Sequence, residues 1–226
     1  MSTTKHLASP LGAGAVGARF HRESARTGAG ARYRTTITSG SLKVAESRII
    51  ADLLLRGVDA HDWRVELLDK NVLQARNPET ARRLSRLLRA RLALMQPALW
   101  TMVRDGSAHL ATHACLAAAV KHSPLIGDFL DMVVREQYRV FRPALSKPLW
   151  EHFIEDCRNR DAAMADWSES TIGRLRSTVF QILAQAGYIE NTRTLKLQSV
   201  FIAKEVLSYL HTHDEQYVLR CIQVAP

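Results

Sequence analysis

The sequence predicts a mainly α-helical protein, with an N-terminal helical bundle and a C-terminal winged-helix-like module that carries a short β-hairpin. Apolar residues recur three, four or seven positions apart through most of the chain after residue 35, which is typical of helices with one buried face. A capping side chain or a proline stands at the start of most of these patterns. Residues 188–197 instead combine a polar turn with alternating apolar and polar positions, which is typical of a hairpin.

The net charge of +9 over 226 residues indicates a partner that carries negative charge. The charge is unevenly distributed, because residues 1–35 carry +5, residues 36–149 carry +6 and residues 150–226 carry −2. Since nucleic-acid affinity comes mostly from the neutralisation of phosphates, the first two segments should supply most of the attraction.

The composition predicts a folded, soluble and cytoplasmic protein without a membrane partner. Hydrophobic residues make up 46% of the chain, yet no apolar run approaches the roughly 20 residues that span a bilayer. The three cysteines, Cys115, Cys157 and Cys221, are odd in number and lie among apolar residues, so we expect reduced and buried thiols.

Residues 1–34 are rich in Gly, Ala, Ser and Arg without a hydrophobic period, and they predict a flexible basic arm. Within the arm, residues 12–17 read GAGAVG and match the glycine pattern of dinucleotide-binding proteins. That motif requires a preceding apolar strand, a following helix and an acidic residue about 20 positions later, and the sequence lacks this context. We therefore expect no nucleotide and no other cofactor.

Residues 35–123 predict an N-terminal helical domain. Ser41 can cap a first helix that Gly57 ends, and a second helix starts near Ala60. Asn77-Pro78 predicts a third start, because asparagine caps a first turn and proline fits the first helical position.

The helix after Pro78 carries a row of arginines. Its apolar positions form one stripe: Leu84, Leu87, Leu88, Leu92 and Met95. The outward arginines are Arg82, Arg86 and Arg89, with Arg83 and Arg91 beside them. Residues 74–104 hold seven Arg against one Glu, whereas a face that only keeps a protein soluble usually mixes charges of both signs. We therefore favour phosphate contact over a merely solvated face, and predict it for Arg82, Arg83, Arg86 and Arg89.

Residues 97–106 and 108–122 predict two further helices, the second capped by Ser107. His109 and His113 lie four positions apart in the second helix, a spacing that can hold a metal ion on one helical face. No carboxylate or second ligand cluster accompanies them, so we interpret both as packed or hydrogen-bonded side chains and expect no metal.

Residues 124–147 predict a connecting helix and linker, and residues 148–226 predict the winged-helix-like domain. A helix from Pro148, a short helix over residues 162–167, a recognition helix and the hairpin follow one another in this domain. This order is typical of a winged helix-turn-helix.

The recognition helix has two candidate caps, Ser168 and Ser170, and Gly187 ends it. Its buried stripe is Ile172, Leu175, Val179, Ile182, Leu183 and Ala186. Its opposite face carries Arg174, Ser177, Thr178, Gln181 and Gln185, with Arg176 at the edge. The predicted DNA contacts of this domain are Arg174, Arg176, Ser177, Thr178 and Gln181, together with Arg193 and Lys196 in the hairpin. They require that acidic residues such as Glu151 and Glu155 face elsewhere.

Short motifs in a characteristic order and spacing occur between residues 33 and 210. They are Ser39-Gly40-Ser41-Leu42 with Glu46-Ser47, Asp62-Trp63, Asn71-Val72-Leu73-Gln74, Thr80, Arg91-Leu92, Asp128-Phe129, Ser170-Thr171 and residues 183–189. In these motifs the sequence resembles the BrxA family, a small component of the BREX phage-defence systems of bacteria. The resemblance implies a non-enzymatic, mostly helical DNA-binding protein that works with the other BREX components in phage defence and in modification of host DNA.

Two hypotheses of function remain open. The first is an accessory protein that binds double-stranded DNA, largely without sequence specificity, because one Arg with one or two Gln offers few bidentate base contacts. RNA binding is a variant of this hypothesis. The second is a protein–protein interaction adaptor, which the net charge of −2 in residues 150–226 favours. No nucleophile–base pair, carboxylate pair or phosphate loop is evident, so we expect neither an enzyme nor a small-molecule substrate.

Overall fold

The computed structural model describes residues 30–224, in which ten helices surround a hydrophobic core and no β-strand occurs. The helices are α1 Val44–Leu55, α2 Ala60–Arg64 with a π-helical turn Val65–Asp69, α3 Pro78–Leu92, α4 Pro97–Asp105, α5 Ala108–His122, α6 Pro124–Asp128 continued by π-helical Phe129–Val134 and by Arg135–Arg139, α7 Lys147–Arg160, α8 Glu169–Gln185, α9 Lys204–Thr212 and α10 Gln216–Ile222. A 3₁₀ turn, Thr36–Ser39, precedes α1. The prediction of a mainly α-helical protein is confirmed. None of these helices has the length and apolar character needed to cross a membrane.

Side-chain caps predicted from the sequence begin three of the helices. They are Asn77 at α3, Ser107 at α5 and Ser168 at α8, which accept the N–H groups of Thr80, Leu110 and Thr171 over 2.8, 3.2 and 3.3 Å. Each cap satisfies an N–H group that the helix itself leaves unpaired. The predicted cap of α1 is wrong, because Lys43 and not Ser41 precedes that helix and no side chain caps it.

Two glycines end helices as predicted. Gly57 follows α1 with a φ of +63°, and Gly187 follows α8 with a φ of +85°, a left-handed conformation that costs glycine little. After Gly187, the N–H of Tyr188 donates to the carbonyl oxygen of Leu183 over 2.9 Å. This bond satisfies a carbonyl group at the end of α8 and turns the chain back toward the core.

α5 lies at the centre of the fold. It packs against α1, α3, α4, α6, α9 and α10, and nine of its 15 residues are buried. Five of the buried residues are alanines: Ala111, Ala114, Ala117, Ala118 and Ala119. Because the separation of packed helices depends on side-chain size at the contact, these alanines let several neighbours approach closely.

An aromatic cluster joins α6 to α7 and α8. Phe129, Trp150, Phe153 and Phe180 are all buried, with ring centroids 5.2 to 6.5 Å apart between contacting pairs. The indole N–H of Trp150 donates to the carbonyl oxygen of Ile172 over 3.2 Å, so the polar atom of this buried ring is satisfied. The cluster fixes α8 on α7 and thereby fixes the direction of its outer face.

The C-terminal third differs from the predicted winged-helix-like module. Residues 162–164 form a turn and residues 165–167 are irregular, instead of the predicted short helix. The predicted hairpin is reduced to one antiparallel bridge between Ile189 and Leu197, and the neighbouring Lys196 pairs with Ala144 instead. Because this short segment divides its backbone hydrogen bonds between two partners, it forms no regular strand. The described residues therefore give the winged-helix prediction no support.

Residues 1–29, which hold the GAGAVG motif and most of the predicted basic arm, lie outside the described residues. The chain that follows is held against the fold. The N–H groups of Arg32 and Tyr33 donate to the carboxylate of Asp161 over 2.8 and 3.3 Å, and both side chains bond to the carboxylate of Asp128.

The prediction of reduced, buried cysteines is confirmed for Cys115, Cys157 and Cys221. Burial raises the pKa of the three thiols to about 11, 12 and 11 respectively. They therefore remain protonated at neutral pH and act as small hydrophobic side chains.

Candidate nucleic-acid interface

The outer face of α3 presents three arginines to solvent. Arg82, Arg83 and Arg86 are exposed, and the predicted apolar stripe on the opposite side is buried, which fixes their outward direction. Arg82 lies 3.9 Å from Glu79, at the long limit of an ion pair. Within residues 30–224, no carboxylate forms an ion pair with Arg83 or Arg86. This α3 surface (Arg82, Arg83 and Arg86) is open to an anionic ligand.

Arg89 lies on the side of the same helix and is half-buried. Its guanidinium lies 4.3 Å from the ring centroid of Trp63, within the range of a cation–π interaction. The indole N–H of Trp63 donates to the hydroxyl of Ser85 over 3.2 Å, and burial lowers the pKa of Arg89. Arg89 thus packs against Trp63 within the fold, and a contact of Arg89 with DNA stays a prediction.

Arg91 is buried, with 2% of its surface exposed. It donates hydrogen bonds to the carbonyl oxygens of Ser41 and Gly40 over 2.7 and 3.1 Å, and burial lowers its pKa to about 10. Its role is to fix the segment before α1, a role that the sequence analysis missed. One signal was present, since Arg91 lies four residues after Leu87 and therefore on the apolar stripe.

The outer face of α8 is less available than the sequence indicates. Arg174 and Gln181 are exposed. The hydroxyls of Ser177 and Thr178 donate to the carbonyl oxygens of Gly173 and Arg174 over 2.9 and 3.0 Å. Their donor hydrogens are therefore occupied within the helix, which leaves these hydroxyls as acceptors and weakens them as phosphate contacts.

Two further polar side chains of α8 serve packing. Arg176 forms an ion pair with Glu151 of α7. The side-chain oxygen of Gln185 accepts the N–H of Leu42 over 3.0 Å. To bind a phosphate, Arg176 would have to leave Glu151 or carry that carboxylate to the DNA with it.

Arg193 and Lys196 are exposed on the turn after α8. The side chain of Asn191 stabilises this turn by accepting the N–H groups of Arg193 and Thr194, both over 2.9 Å. The bridge between Lys196 and Ala144 places the turn beside the chain that leads into α7.

The structure thus divides the predicted contacts into the α3 surface and an α8 surface (Arg174, Gln181, Arg193 and Lys196). Residues 36–42 contact both helices, through the bonds of Arg91 to Ser41 and of Gln185 to Leu42. The two surfaces are therefore connected through this segment.

Of the two histidines of α5, His113 is packed as the sequence analysis expects, whereas His109 is exposed. His113 is buried, its Nδ1 accepts the N–H of Ala203 over 3.1 Å, and the ring of His109 meets it at a centroid distance of 4.2 Å. An open cleft of about 500 Å³ beside His109 is lined in part by Phe201. Residues 30–224 contain no group of three His, Cys, Asp or Glu residues placed to hold a metal ion.

His113 should make stability depend on pH. Burial, and then the proximity of His109, lower the pKa of His113 to about 4. The unfolded chain therefore binds this proton at higher pH than the folded chain, and the contribution of His113 to stability is complete above about pH 6.5 and lost toward pH 4. We expect its contribution to the free energy of unfolding to fall by about 1 kcal/mol from pH 7 to pH 5.5, measured by urea unfolding.

The variant His113→Asn tests this expectation, because the amide oxygen can still accept the N–H of Ala203 but does not titrate. We expect its free energy of unfolding to change less between pH 7 and pH 5.5 than that of the wild type. His211→Asn, at an exposed position of α9, is the control. Equal pH dependence in His113→Asn and the wild type would contradict the assignment.

The fold and these surfaces define a small, mainly α-helical protein with two exposed arginine-bearing surfaces. The sequence profile of the BrxA family matches residues 31–214. The chain belongs to the BrxA family, and the resemblance predicted from its short motifs is confirmed.

Relatives cover most of the chain. A protein of Paramagnetospirillum magneticum (strain ATCC 700264 / AMB-1) named BREX protein BrxA is 54% identical over 194 residues, which are 86% of this chain and 98% of the relative. A protein of Escherichia coli O9:H4 (strain HS) with the same name is 30% identical over 187 residues, which are 83% of this chain and 88% of the relative. The crystal structure of an uncharacterized protein from Magnetospirillum magneticum superposes with a TM-score of 0.81 and 52% identity, covering 86% of this chain and all of that one.

Proposed function

We propose that the protein is a non-enzymatic, cytoplasmic component of a BREX phage-defence system that binds double-stranded DNA, largely without sequence specificity. Its relatives from Paramagnetospirillum and Escherichia coli are BREX proteins by name. DNA binding is supported above all by the α3 surface, where three arginines are exposed on one helical face. Guanidinium groups bind phosphate oxygens in a bidentate manner and lose little hydration in doing so.

The α8 surface supports weak sequence preference at most. Arg174 and Gln181 are its exposed side chains with the geometry for bidentate contacts to guanine and adenine, respectively. Arg193 and Lys196 fit phosphates, which fix the orientation of a protein on DNA without reading its sequence. Phosphate contacts on both surfaces would let the protein bind DNA of many different sequences.

A salt titration tests the proposal. The full-length chain is mixed with fluorescently labelled duplexes of unrelated sequence, and Kd is measured by anisotropy between about 50 and 300 mM NaCl. We expect similar affinities for all duplexes and a slope of log K against log salt of about −2 or steeper, because each phosphate contact contributes about −0.9. Competition with duplex RNA measures the preference for DNA.

Two outcomes would contradict the proposal. One is the absence of binding at low salt, and the other is binding that does not respond to salt. In either case, co-purification with other BREX proteins after nuclease treatment and in high salt would favour the adaptor hypothesis instead.

A further inference from the structure

Phe141 is an exposed aromatic residue at the end of α6. Its side chain is 90% exposed, and the preceding Val140 is 49% exposed. An exposed ring does not contribute the favourable free energy that burial of apolar surface gives. Exposed apolar surface also promotes nonspecific association. Single exposed hydrophobic residues are common, so the conformation and surroundings of Phe141 decide whether it has a role.

The backbone of Phe141 adopts a conformation that glycine would adopt more easily. Its φ is +52°, which is strained for a bulky side chain. The N–H of Phe141 donates to the carbonyl oxygen of Tyr138 over 3.1 Å, and that of Arg142 donates to Gln137 over 2.9 Å. These bonds place Phe141 at the position after a helix end that glycine usually occupies. Position 141 thus carries an aromatic side chain that packs against little of the fold and that the left-handed backbone conformation disfavours.

Hydrogen bonds connect the Phe141 loop (residues 140–143) to the turn after α8. The N–H of Leu197 donates to the carbonyl oxygen of Pro143, and the N–H of Leu145 donates to that of Leu195, both over 2.9 Å. The loop is thus held in a defined position next to Arg193 and Lys196 of the α8 surface.

Four cations lie in the Phe141 loop, at the first residue of α7 and on the turn after α8. Arg142, Lys147, Arg193 and Lys196 are exposed, and no carboxylate in residues 30–224 forms an ion pair with any of them. Carboxylates lie close to these cations as well. Glu136 pairs with Arg139 over 3.0 Å, Glu151, one turn after Lys147 in α7, pairs with Arg176, and Glu190 accepts the hydroxyl of Thr194 over 3.0 Å and keeps its negative charge. Glu155 and Asp156 lie two to three turns further along α7. An exposed ring therefore projects from a surface of available cations.

We propose that Phe141 is a wedge that contacts the bases of duplex DNA, while Arg142, Lys147, Arg193 and Lys196 bind the flanking phosphates. Duplex DNA combines the two chemistries that this surface offers to bind, a row of phosphates and an apolar stack of bases. Apolar side chains that enter a base step kink the duplex and increase the surface in contact. The inference rests on the proposed DNA binding and adds a base contact to it.

The variant Phe141→Gly separates DNA contact from folding. Glycine suits the backbone, so we expect a melting temperature equal to or above that of the wild type. We expect affinity for duplex DNA to fall about fivefold or more, with an unchanged slope of log K against log salt, because a stacking contact and not a phosphate contact is removed. Energy transfer between dyes at the two ends of a short duplex should report a bend with the wild type and a smaller bend with the variant.

Two further variants complete the test. Phe141→Tyr keeps the ring and should retain affinity within about twofold, since tyrosine also stacks on bases. Phe201→Ala removes the other highly exposed phenylalanine of residues 30–224, at 79% exposure beside α9, and should bind and bend DNA like the wild type. If Phe141→Gly binds and bends DNA like the wild type, or if Phe141→Tyr loses as much affinity as Phe141→Gly, the wedge is overturned while the proposed function stands. Failure of the wild type to bind duplex DNA overturns both.

Discussion

Replacement of Arg82, Arg83 and Arg86 together by alanine is expected to weaken binding to duplex DNA by about tenfold to a hundredfold at ~0.1 M salt. The three guanidinium groups share one exposed face of α3, and the one ion pair that any of them forms in the described chain is that of Arg82 with Glu79, at 3.9 Å. If each binds one phosphate, the slope of log K against log salt should become shallower by up to about 2.7. Alanine is the best helix former, so α3 itself should persist.

A matched control removes the same total charge elsewhere. Arg56, Arg104 and Arg220 each lie within 3.0 Å of a carboxylate, that of Asp52, Asp105 and Asp131, respectively. Because these arginines are already paired, their replacement by alanine should change affinity and salt slope little. Equal losses in the two triple variants would show that net charge, and not the α3 surface, determines affinity. Weakening confined to one DNA sequence would contradict nonspecific phosphate binding.

Helical periodicity predicts which arginines of α3 point outward, but it does not predict which of them have partners elsewhere in the fold. The apolar stripe of α3 predicts the outward direction of Arg82, Arg83 and Arg86, because side-chain direction on a helix follows from spacing alone. The same reasoning places Arg89 in the row and Arg91 beside it. Their contacts lie outside α3, on Trp63 for Arg89 and on residues 40–41 for Arg91, and a helical repeat carries no information about those partners.

Local signals predicted most helix boundaries well. Asn77, Ser107 and Ser168 cap the helices that they were predicted to cap, and Gly57 and Gly187 end helices with positive φ. Caps and glycine ends depend on bonds to residues within one turn, so the sequence contains both members of each interaction.

The C-terminal module was predicted less well because its contacts are long-range. The alternation of residues 195–197 predicts an extended chain but not its partner, and the structure divides the pairing between residues 143–145 and residues 188–190. The exposed ring of Phe141 was missed for a similar reason. The turn to which its loop is hydrogen-bonded, which carries Arg193 and Lys196, lies about 50 residues away in sequence.

Asp128 holds together the region where the family match begins. Its carboxylate is 4% exposed and accepts four hydrogen bonds, two from the guanidinium of Arg32 at 2.9 Å, one from Tyr33 at 2.8 Å and one from Tyr217 at 2.7 Å. Burial, and then the bond to Asp128, raise the pKa of both tyrosines, so their hydroxyls remain protonated donors. One carboxylate thus joins residues 32–33 and α10 to α6, and the BrxA profile begins at residue 31.

Asp128→Ala should therefore lower the free energy of unfolding by about 2–4 kcal/mol, measured by urea unfolding at pH 7. The hydroxyl of Tyr33 would lose its acceptor, and that of Tyr217 would keep only a long contact of 3.4 Å to the carbonyl oxygen of Pro124, at about 1 kcal/mol each. Arg32 would lose its partner as well, but its side chain is 48% exposed, so water reduces that part of the loss.

Replacement of each tyrosine by phenylalanine measures how much of this lost free energy comes from each hydroxyl. Tyr33→Phe and Tyr217→Phe should each cost about 1 kcal/mol in the wild type and much less in the Asp128→Ala background, because the acceptor is then already gone. Asp156→Ala is the control, since Asp156 is exposed and 3.8 Å from Arg160, and an ion pair of that kind contributes less than about 1 kcal/mol. If Asp128→Ala destabilises the protein no more than Asp156→Ala, the carboxylate does not anchor residues 32–33. Their attachment would then depend on the bonds of their N–H groups to Asp161 and on the burial of Tyr33.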